Sequence, residues 1–488
     1  MIKKIKTLLF KHINQRQIIV KNIAWLSLSQ IGSRLIRAII IIYAARLLGA
    51  SEYGVFSYVL GFAGFFTLFS DIGVNPLLTR NVASHPEKRD EYFSASFWIK
   101  IFLLLFTALL VVFAAPHFTN IEEAKSLIPF VAFLVIFDGL RELATAYLRG
   151  IEKMEREALI LIVMNITIVI AGFIILSVSP TSKSLILSYI ASVGVSAGLA
   201  IFILKDQFLK VFRLFDKNLI RETLRACWPI AFSTMLGVFM LNTDLIMLGW
   251  WRSAEEIGFY SAGQRIIQVL YTLPGLLAAG IFPVISRIVK QKDEQKEKAL
   301  NEKTMAIIFF IAIPLVIGGI ILSQPIFKLV FGEEYLPGVP AFQILIITFL
   351  IISPSILMSN LILAHNQQRK VLKYIAAGSL GNIVFNILLI PAYGIIGSAI
   401  ATVIALLLNS GPTWYHLKKI NNFYTIRHLK KMIVSAIIMG IFSFILNKIG
   451  INVVINIIAS GGIYFGLLYI LKEKILEEIK PIIKSIKR

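Results

Sequence analysis

The sequence has only one cysteine, Cys227, among its 488 residues. An intrachain disulfide and a metal site built on several cysteines are therefore excluded. The six histidines are scattered without metal-ligand spacing, and the chain has neither a Gly-rich phosphate loop nor a nucleophile elbow. We therefore predict that the chain is not an enzyme and that it needs no metal and no cofactor.

Charged residues are also scarce, at 16% of the chain, whereas soluble proteins have roughly 25%. Hydrophobic residues make up 57%, and apolar runs of about 20 residues, long enough to cross the hydrocarbon core, recur along the chain. This pattern predicts an all-α polytopic membrane protein with about fourteen transmembrane helices. The predicted spans are 23–48, 54–79, 93–115, 127–148, 158–177, 184–204, 228–250, 257–286, 304–323, 341–363, 374–392, 395–416, 431–448 and 452–471.

The formal net charge of +22 suggests nucleic-acid binding until the charges are placed along the chain. Of the 49 Lys and Arg residues, 38 fall in alternate loops and in the two tails, five in the other loops and six within predicted spans. Such alternation is typical of the positive-inside rule. It predicts a multi-pass protein with both termini in the cytoplasm and argues against a nucleic-acid partner.

A short motif occurs twice. Glu52-Tyr53-Gly54-Val55-Phe56-Ser57 is followed 204 residues later by Glu256-Ile257-Gly258-Phe259-Tyr260-Ser261. Because each copy belongs to a set of six predicted spans, we expect two pseudo-symmetric lobes related by an axis along the membrane normal, with a central cavity between them. The predicted organisation is a 1–21 amphipathic cytoplasmic N-tail, a 22–204 N-lobe, a 205–227 basic amphipathic cytoplasmic linker, a 228–417 C-lobe, a 418–471 extra helix pair and a 472–488 basic cytoplasmic tail.

Polar residues form a stripe on the first predicted span. Gln30, Arg34 and Arg37 lie on one helical face, and Arg265 and Gln268 lie on the eighth span. A guanidinium in lipid costs several kcal/mol, so these faces must contact protein or water. We predict that these five residues line a cationic cavity that binds an anionic substrate.

Five further charged residues fall within predicted spans and leave two interpretations open, ion coupling or structural charge pairing. They are Asp71, Asp138, Arg141, Glu142 and Asp244. The i, i+3 spacing of Asp138 and Arg141 favours a pair within one helix. Asp71 is a candidate to neutralise Arg34 or Arg37, and Lys100 is expected to extend its amine to the cytoplasmic interface.

Several segments together resemble the polysaccharide-export branch of the multidrug/oligosaccharidyl-lipid/polysaccharide exporter superfamily, which contains flippases for oligosaccharide repeat units. They are Ala44-Ala45-Arg46-Leu47-Leu48-Gly49, the Glu52 to Ser57 motif and its copy, Asp71-Ile72-Gly73, Arg80-Asn81 and Phe331-Gly332-Glu333-Glu334-Tyr335. The resemblance implies a twelve-helix, two-lobe core with two added helices. It also implies alternating-access flipping of an undecaprenyl-diphosphate-linked oligosaccharide, for O-antigen, capsule or exopolysaccharide, to the outer leaflet of the inner cell membrane.

The same resemblance implies a lipid-linked oligosaccharide diphosphate and the lipid bilayer as partners of a monomeric flippase. A glycan polymerase and glycosyltransferases are further implied partners. Proton or sodium coupling and consumption of the product both stay open as the driving force. A lipid II flippase and an ion-coupled drug antiporter share the fold, but six basic residues against four acidic ones within the spans favour an anionic substrate. A membrane-embedded glycan polymerase is disfavoured because the outer loops are short.

Overall fold

The computed structural model describes residues 15–424 and 426–473. Within those ranges the chain is predominantly α-helical and contains no β-strand. Residues up to Gly258 group into one compact unit, and residues from Phe259 group into a second. The predicted cytoplasmic tails, 1–21 and 472–488, lie wholly or largely outside the described residues. The predicted lobe boundaries stay predictions.

Between residues 15 and 253, the structure has nine α-helices of the first unit. They are α1 (Gln15–Ser70), α2 (Val74–Ser84), α3 (Arg89–Leu109), α4 (Glu122–Leu127), α5 (Val131–Gly150), α6 (Met154–Val178), α7 (Ser182–Ile203), α8 (Lys205–Lys210) and α9 (Lys217–Trp251). Helices α3, α5, α6, α7 and α9 overlap the predicted spans 93–115, 127–148, 158–177, 184–204 and 228–250, because long apolar runs with few charges leave little choice of secondary structure in lipid.

Two glycines divide the first part of the chain. Gly49, with φ 74° and ψ 175°, interrupts α1 between the first two predicted spans. Gly73, with φ 88°, lies where the chain bends by 48° between α1 and α2. Positive φ costs an L-residue energy that glycine does not pay. The second predicted span, 54–79, is therefore wrong as one continuous helix, because Asp71 lies in a break rather than deep in a helix.

Helix α6 packs along α1 in the first unit. The Cβ of an alanine at Gly172 would lie 2.5 Å from the Ile40 Cδ1 atom, so the two helices are in very close contact there. The ring centroids of Tyr43 and Phe173 are 4.5 Å apart, which extends the same contact. This interface positions the arginines of α1 relative to α6.

The second unit continues the helical pattern. Its helices are α10 (Ala254–Leu270), which crosses the unit boundary, α11 (Thr272–Gln291), α12 (Glu294–Ile321), α13 (Ser323–Val330), α14 (Val339–Leu345), α15 (Thr348–Ala364), α16 (Gln368–Ile420), α17 (Ile426–Lys448) and α18 (Val453–Ile470). Helix α16 is interrupted at Gly394, with φ 58° and ψ −134°. The prediction that 374–392 and 395–416 are separate spans places its boundary at this glycine.

Helices α17 and α18 pack on α12 and form a core of their own. The Tyr464 hydroxyl donates to the Phe310 carbonyl oxygen over 3.1 Å, and Met432, Ala436 and Met439 pack nearby. In α18, Asn456 is fully buried and its Nδ2 donates to the Ser443 carbonyl oxygen over 2.9 Å. The first bond holds the extra helix pair to α12, and the second joins α17 to α18.

Eight helices in the described part of the chain are long and apolar enough to cross a membrane, and ten if each of two bent helix pairs counts as one span. The bent pairs are 32–84, with a 48° bend, and 333–364, with a 45° bend. The fold is thus that of a polytopic, all-α membrane protein.

Candidate functional site

Arg34 is exposed on α1. It forms no hydrogen bond or ion pair with any residue in the part of the chain that the structure describes. Leu35 and Ile39, which lie on other faces of the same helix, are 57% and 56% exposed, so α1 presents apolar side chains as well as the guanidinium at its surface. A charge in this setting is stable only against water or an anionic ligand.

Arg37 lies one turn further along α1 and is half-buried. Its Nε donates to Asn165 Oδ1 on α6 over 3.4 Å. Asn165 is fully buried, and its Nδ2 donates to Ser33 Oγ over 2.9 Å and to the Leu161 carbonyl oxygen over 2.6 Å. The buried amide therefore ties α6 to α1 and restricts the orientation of the Arg37 side chain.

The residues of the predicted polar stripe therefore lie in different environments. Arg37 is bonded to α6, Arg34 is exposed without a bonded partner among the described residues, and the Gln30 side chain lies outside the described part of the chain. In α10, Arg265 Nη1 donates to Gln268 Oε1 over 3.2 Å, so the polar face predicted there forms an i, i+3 pair.

A second group of charges surrounds α5. Arg141 donates to Asp138 Oδ1 from Nε over 2.9 Å and from Nη2 over 2.6 Å, the i, i+3 pair that the spacing favours. Arg141 Nη2 also lies 3.7 Å from Glu142 Oε1. Asn75 Nδ2 on α2 donates to Glu142 Oε2 over 3.4 Å, which links the two helices.

Asp71 connects this group to α3. Its Oδ1 accepts hydrogen bonds from the backbone amides of Val74 over 2.8 Å and Asn75 over 3.3 Å, so it caps the start of α2. Its Oδ2 lies 3.7 Å from Lys100 Nζ. The carboxylate therefore pairs with Lys100, and the prediction that it neutralises Arg34 or Arg37 is wrong.

The prediction for Lys100 is also wrong. Its side chain is fully buried, and its Cε lies 3.2 Å from the position that a Cβ of residue 139 would occupy, so the amine does not reach the interface. Glycine at position 139 leaves room for the lysine stem beside α5. Two features of the sequence could have indicated this buried pair: the lone lysine within an apolar run, and Asn75 four residues after Asp71.

The remaining predicted residues are placed separately. Asp244 is 2% exposed on α9. Ser57 and Gly61 are buried, and Gly61 packs against Leu245 with a would-be Cβ 3.2 Å from the leucine Cβ. In residues 15–424 and 426–473, no cluster of three or more His, Cys, Asp or Glu side chains is suited to hold a metal ion.

Comparison with known proteins identifies relatives along most of the chain. A probable low-salt glycan biosynthesis flippase of Haloferax volcanii is 23% identical and covers 88% of this chain and 89% of its own. A capsular polysaccharide biosynthesis protein of Staphylococcus aureus is 24% identical and covers 82% of this chain and 100% of its own.

Among solved structures, the lipid II flippase MurJ in an inward closed conformation superposes with a TM-score of 0.72 at 18% identity, covering 92% of this chain and 99% of the other. This likeness shows the fold. The MatE family model matches residues 229–388. The model described as polysaccharide biosynthesis protein matches residues 19–289, more than half of the chain, and the chain therefore belongs to the polysaccharide biosynthesis protein family.

Proposed function

We propose that this chain is a flippase that moves an undecaprenyl-diphosphate-linked oligosaccharide from the cytoplasmic to the outer leaflet by alternating access. Membership of the polysaccharide biosynthesis family supports the glycan part of the proposal. The observation that carries the proposal is the exposed Arg34, together with Arg37 one turn away, on an apolar helix.

A diphosphate is the chemistry that suits these arginines. The planar guanidinium donates two parallel hydrogen bonds to phosphate oxygens, and it keeps its charge when partly desolvated. Arg37 is already oriented by Asn165, so less side-chain entropy is lost when a phosphate binds. The polyprenyl tail of such a substrate stays in lipid, where the exposed Leu35 and Ile39 would contact it.

Arg265 and Gln268 are proposed as further contacts for the head group or its sugars, with Gln30 as a third polar contact. An arginine that already shares a bond with a glutamine can exchange that bond for a phosphate or sugar oxygen.

For topology, we propose fourteen spans in two six-helix lobes with an added C-terminal pair, and both termini in the cytoplasm. The breaks at Gly49 and Gly394 support this count, because each glycine interrupts one long helix at the boundary between two predicted spans. The alternating distribution of Lys and Arg supports the orientation.

The charge group of Asp71, Asp138, Arg141, Glu142 and the buried Asp244 is proposed as the seat of ion coupling or of structural pairing. The direct Asp138–Arg141 bonds favour pairing for those two residues. Asp71 and Glu142, which share Asn75 between them, are the better candidates for a proton or sodium ion. Downstream polymerisation by a separate enzyme would also pull transport forward.

Lipid II flipping is the second candidate function, because the superposed MurJ structure is that of a lipid II flippase. Both substrates present a diphosphate on a polyprenyl lipid, so the same arginines would serve. Assaying both lipids with one preparation separates the two functions.

The proposal is tested by reconstituting the full chain in liposomes with a fluorescent polyprenyl-diphosphate oligosaccharide and measuring its arrival at the opposite leaflet. Arg34→Ala, Arg37→Ala and Arg265→Ala are each expected to lower the transport rate about ten- to a hundredfold, the worth of one charged hydrogen bond. The matched control is Leu47→Ala, an exposed residue of the same helix that is assigned no contact with the substrate. Wild-type rates in all three arginine variants would refute the proposal.

A further inference from the structure

Two glycines bring the two copies of the repeated motif into direct backbone contact. A Cβ on Gly54 would lie 1.7 Å from the Ala254 carbonyl oxygen, and a Cβ on Gly258 would lie 2.0 Å from the Ala50 carbonyl oxygen. Neither position can accept a side chain without moving the opposing backbone. Glycine is therefore required at both positions by close approach, and neither residue has an unusual φ.

The contact is crossed. Ala254 and Gly258 follow Ala50 and Gly54 by the same 204 residues that separate the two motif copies. The glycine of each copy meets the alanine carbonyl of the other, so the two copies are related by a local twofold arrangement. The repeat is thus a self-complementary contact between helices α1 and α10.

A second layer of bonds lies beside the glycines. Trp250 Nε1 donates to the Phe118 carbonyl oxygen over 2.8 Å, and Asn120 Nδ2 donates to the Trp250 carbonyl oxygen over 2.8 Å. The would-be Cβ of Gly249 lies 2.1 Å from the Tyr58 ring. We call residues 50–58, 118–120 and 249–258 the outer latch, because the charge pattern assigns their loops to the outer face.

The latch covers a buried hydroxyl. Ser57, one turn inward from Gly54, is fully buried, and its Oγ has no hydrogen-bond partner among the described residues. Such a group gains hydration whenever the latch opens. The central contact is backbone against backbone, and the flanking hydrogen bonds can pass to water when the latch opens.

We propose that the outer latch is the outer gate of this transporter, closed by the crossed Gly54–Ala254 and Gly258–Ala50 contacts and opened to release substrate to the outer leaflet. Its consequence for transport rests on the proposed flippase function. The gate itself is a structural statement that can be tested without any substrate.

The test labels one engineered thiol, which is possible because Cys227 is the single native cysteine. Replacing Cys227 by Ser and adding Ser57→Cys creates one thiol behind the latch. Full-length protein in liposomes is treated from the outer side with a membrane-impermeant maleimide, and the labelling rate is measured. Gly54→Ala and Gly258→Ala are each expected to raise this rate about tenfold or more, since overpacking disfavours the closed contact. Gly198→Ala, where no atom lies within 4 Å of the added Cβ, is the matched control and is expected to change nothing.

Two gentler variants keep the test decisive if an alanine prevents folding. Trp250→Phe and Asn120→Leu each remove one hydrogen bond without a clash and are expected to raise labelling about three- to tenfold. Unchanged labelling in every folded latch variant would overturn the proposal. Faster labelling in a protein that does not transport the lipid would leave the gate standing and refute the flippase function.

Discussion

The buried pair of Lys100 and Asp71 yields an unequal response to its two single substitutions. Their charged atoms are 3.7 Å apart, and the lysine side chain is fully buried while the aspartate side chain is 20% exposed. At an effective dielectric constant of 20, this separation corresponds to an attraction of about 4 kcal/mol. The desolvation of the ammonium is of similar size, several kcal/mol, and opposes it.

Lys100→Met removes the attraction and the desolvation cost together and keeps the volume of the side chain. We expect the free energy of unfolding to change by no more than about 1 to 2 kcal/mol. Asp71→Ala is expected to cost about 3 to 5 kcal/mol, because it leaves the ammonium buried without its partner. It also removes the cap of α2, which adds about 1 kcal/mol.

The decisive measurement is the double variant. Because Lys100→Met removes the stranded charge, the Asp71→Ala/Lys100→Met protein should be more stable than Asp71→Ala alone by about 2 kcal/mol or more. Stability is measured by denaturant-induced or thermal unfolding in detergent with tryptophan fluorescence. The reasoning is refuted if Asp71→Ala is no less stable than Lys100→Met, or if the second substitution lowers stability further.

Two further predictions concern packing and pairing in the first unit. Arg149 Nε donates to both carboxylate oxygens of Glu157, over 2.8 and 2.9 Å, and the Glu157 side chain is 1% exposed. Arg149→Ala should therefore lower the free energy of unfolding by about 2 to 3 kcal/mol, and Arg149→Lys should lower it by less. Unfolding curves of Arg149→Ala that equal those of the wild type would contradict this. Gly172→Ala pushes a methyl group against Ile40 and should cost about 1 to 3 kcal/mol, whereas Gly198→Ala, with open space, should not destabilise the protein; equal melting temperatures of the two variants would contradict this.

The arginines of α1 show which features of the site could be predicted from the sequence and which could not. Helical spacing places Arg34 and Arg37 near each other, and the cost of charge in lipid makes both functional candidates. Spacing does not reveal that Asn165, from a helix more than 100 residues away, bonds Arg37 and leaves Arg34 available. That difference depends on how α6 packs against α1.

The sequence by itself determined the class of the protein and the breaks at Gly49 and Gly394, because apolar length, charge scarcity and glycine act locally along the chain, but the break at Gly73 was not predicted. The repetition of the motif around Gly54 and Gly258 was also evident in the sequence. Only the tertiary structure decided that each glycine meets the opposite alanine carbonyl, and that Lys100 is buried beside Asp71 rather than extended to the interface. Close approach and desolvation depend on which surfaces meet in space, and a one-dimensional pattern does not contain that information.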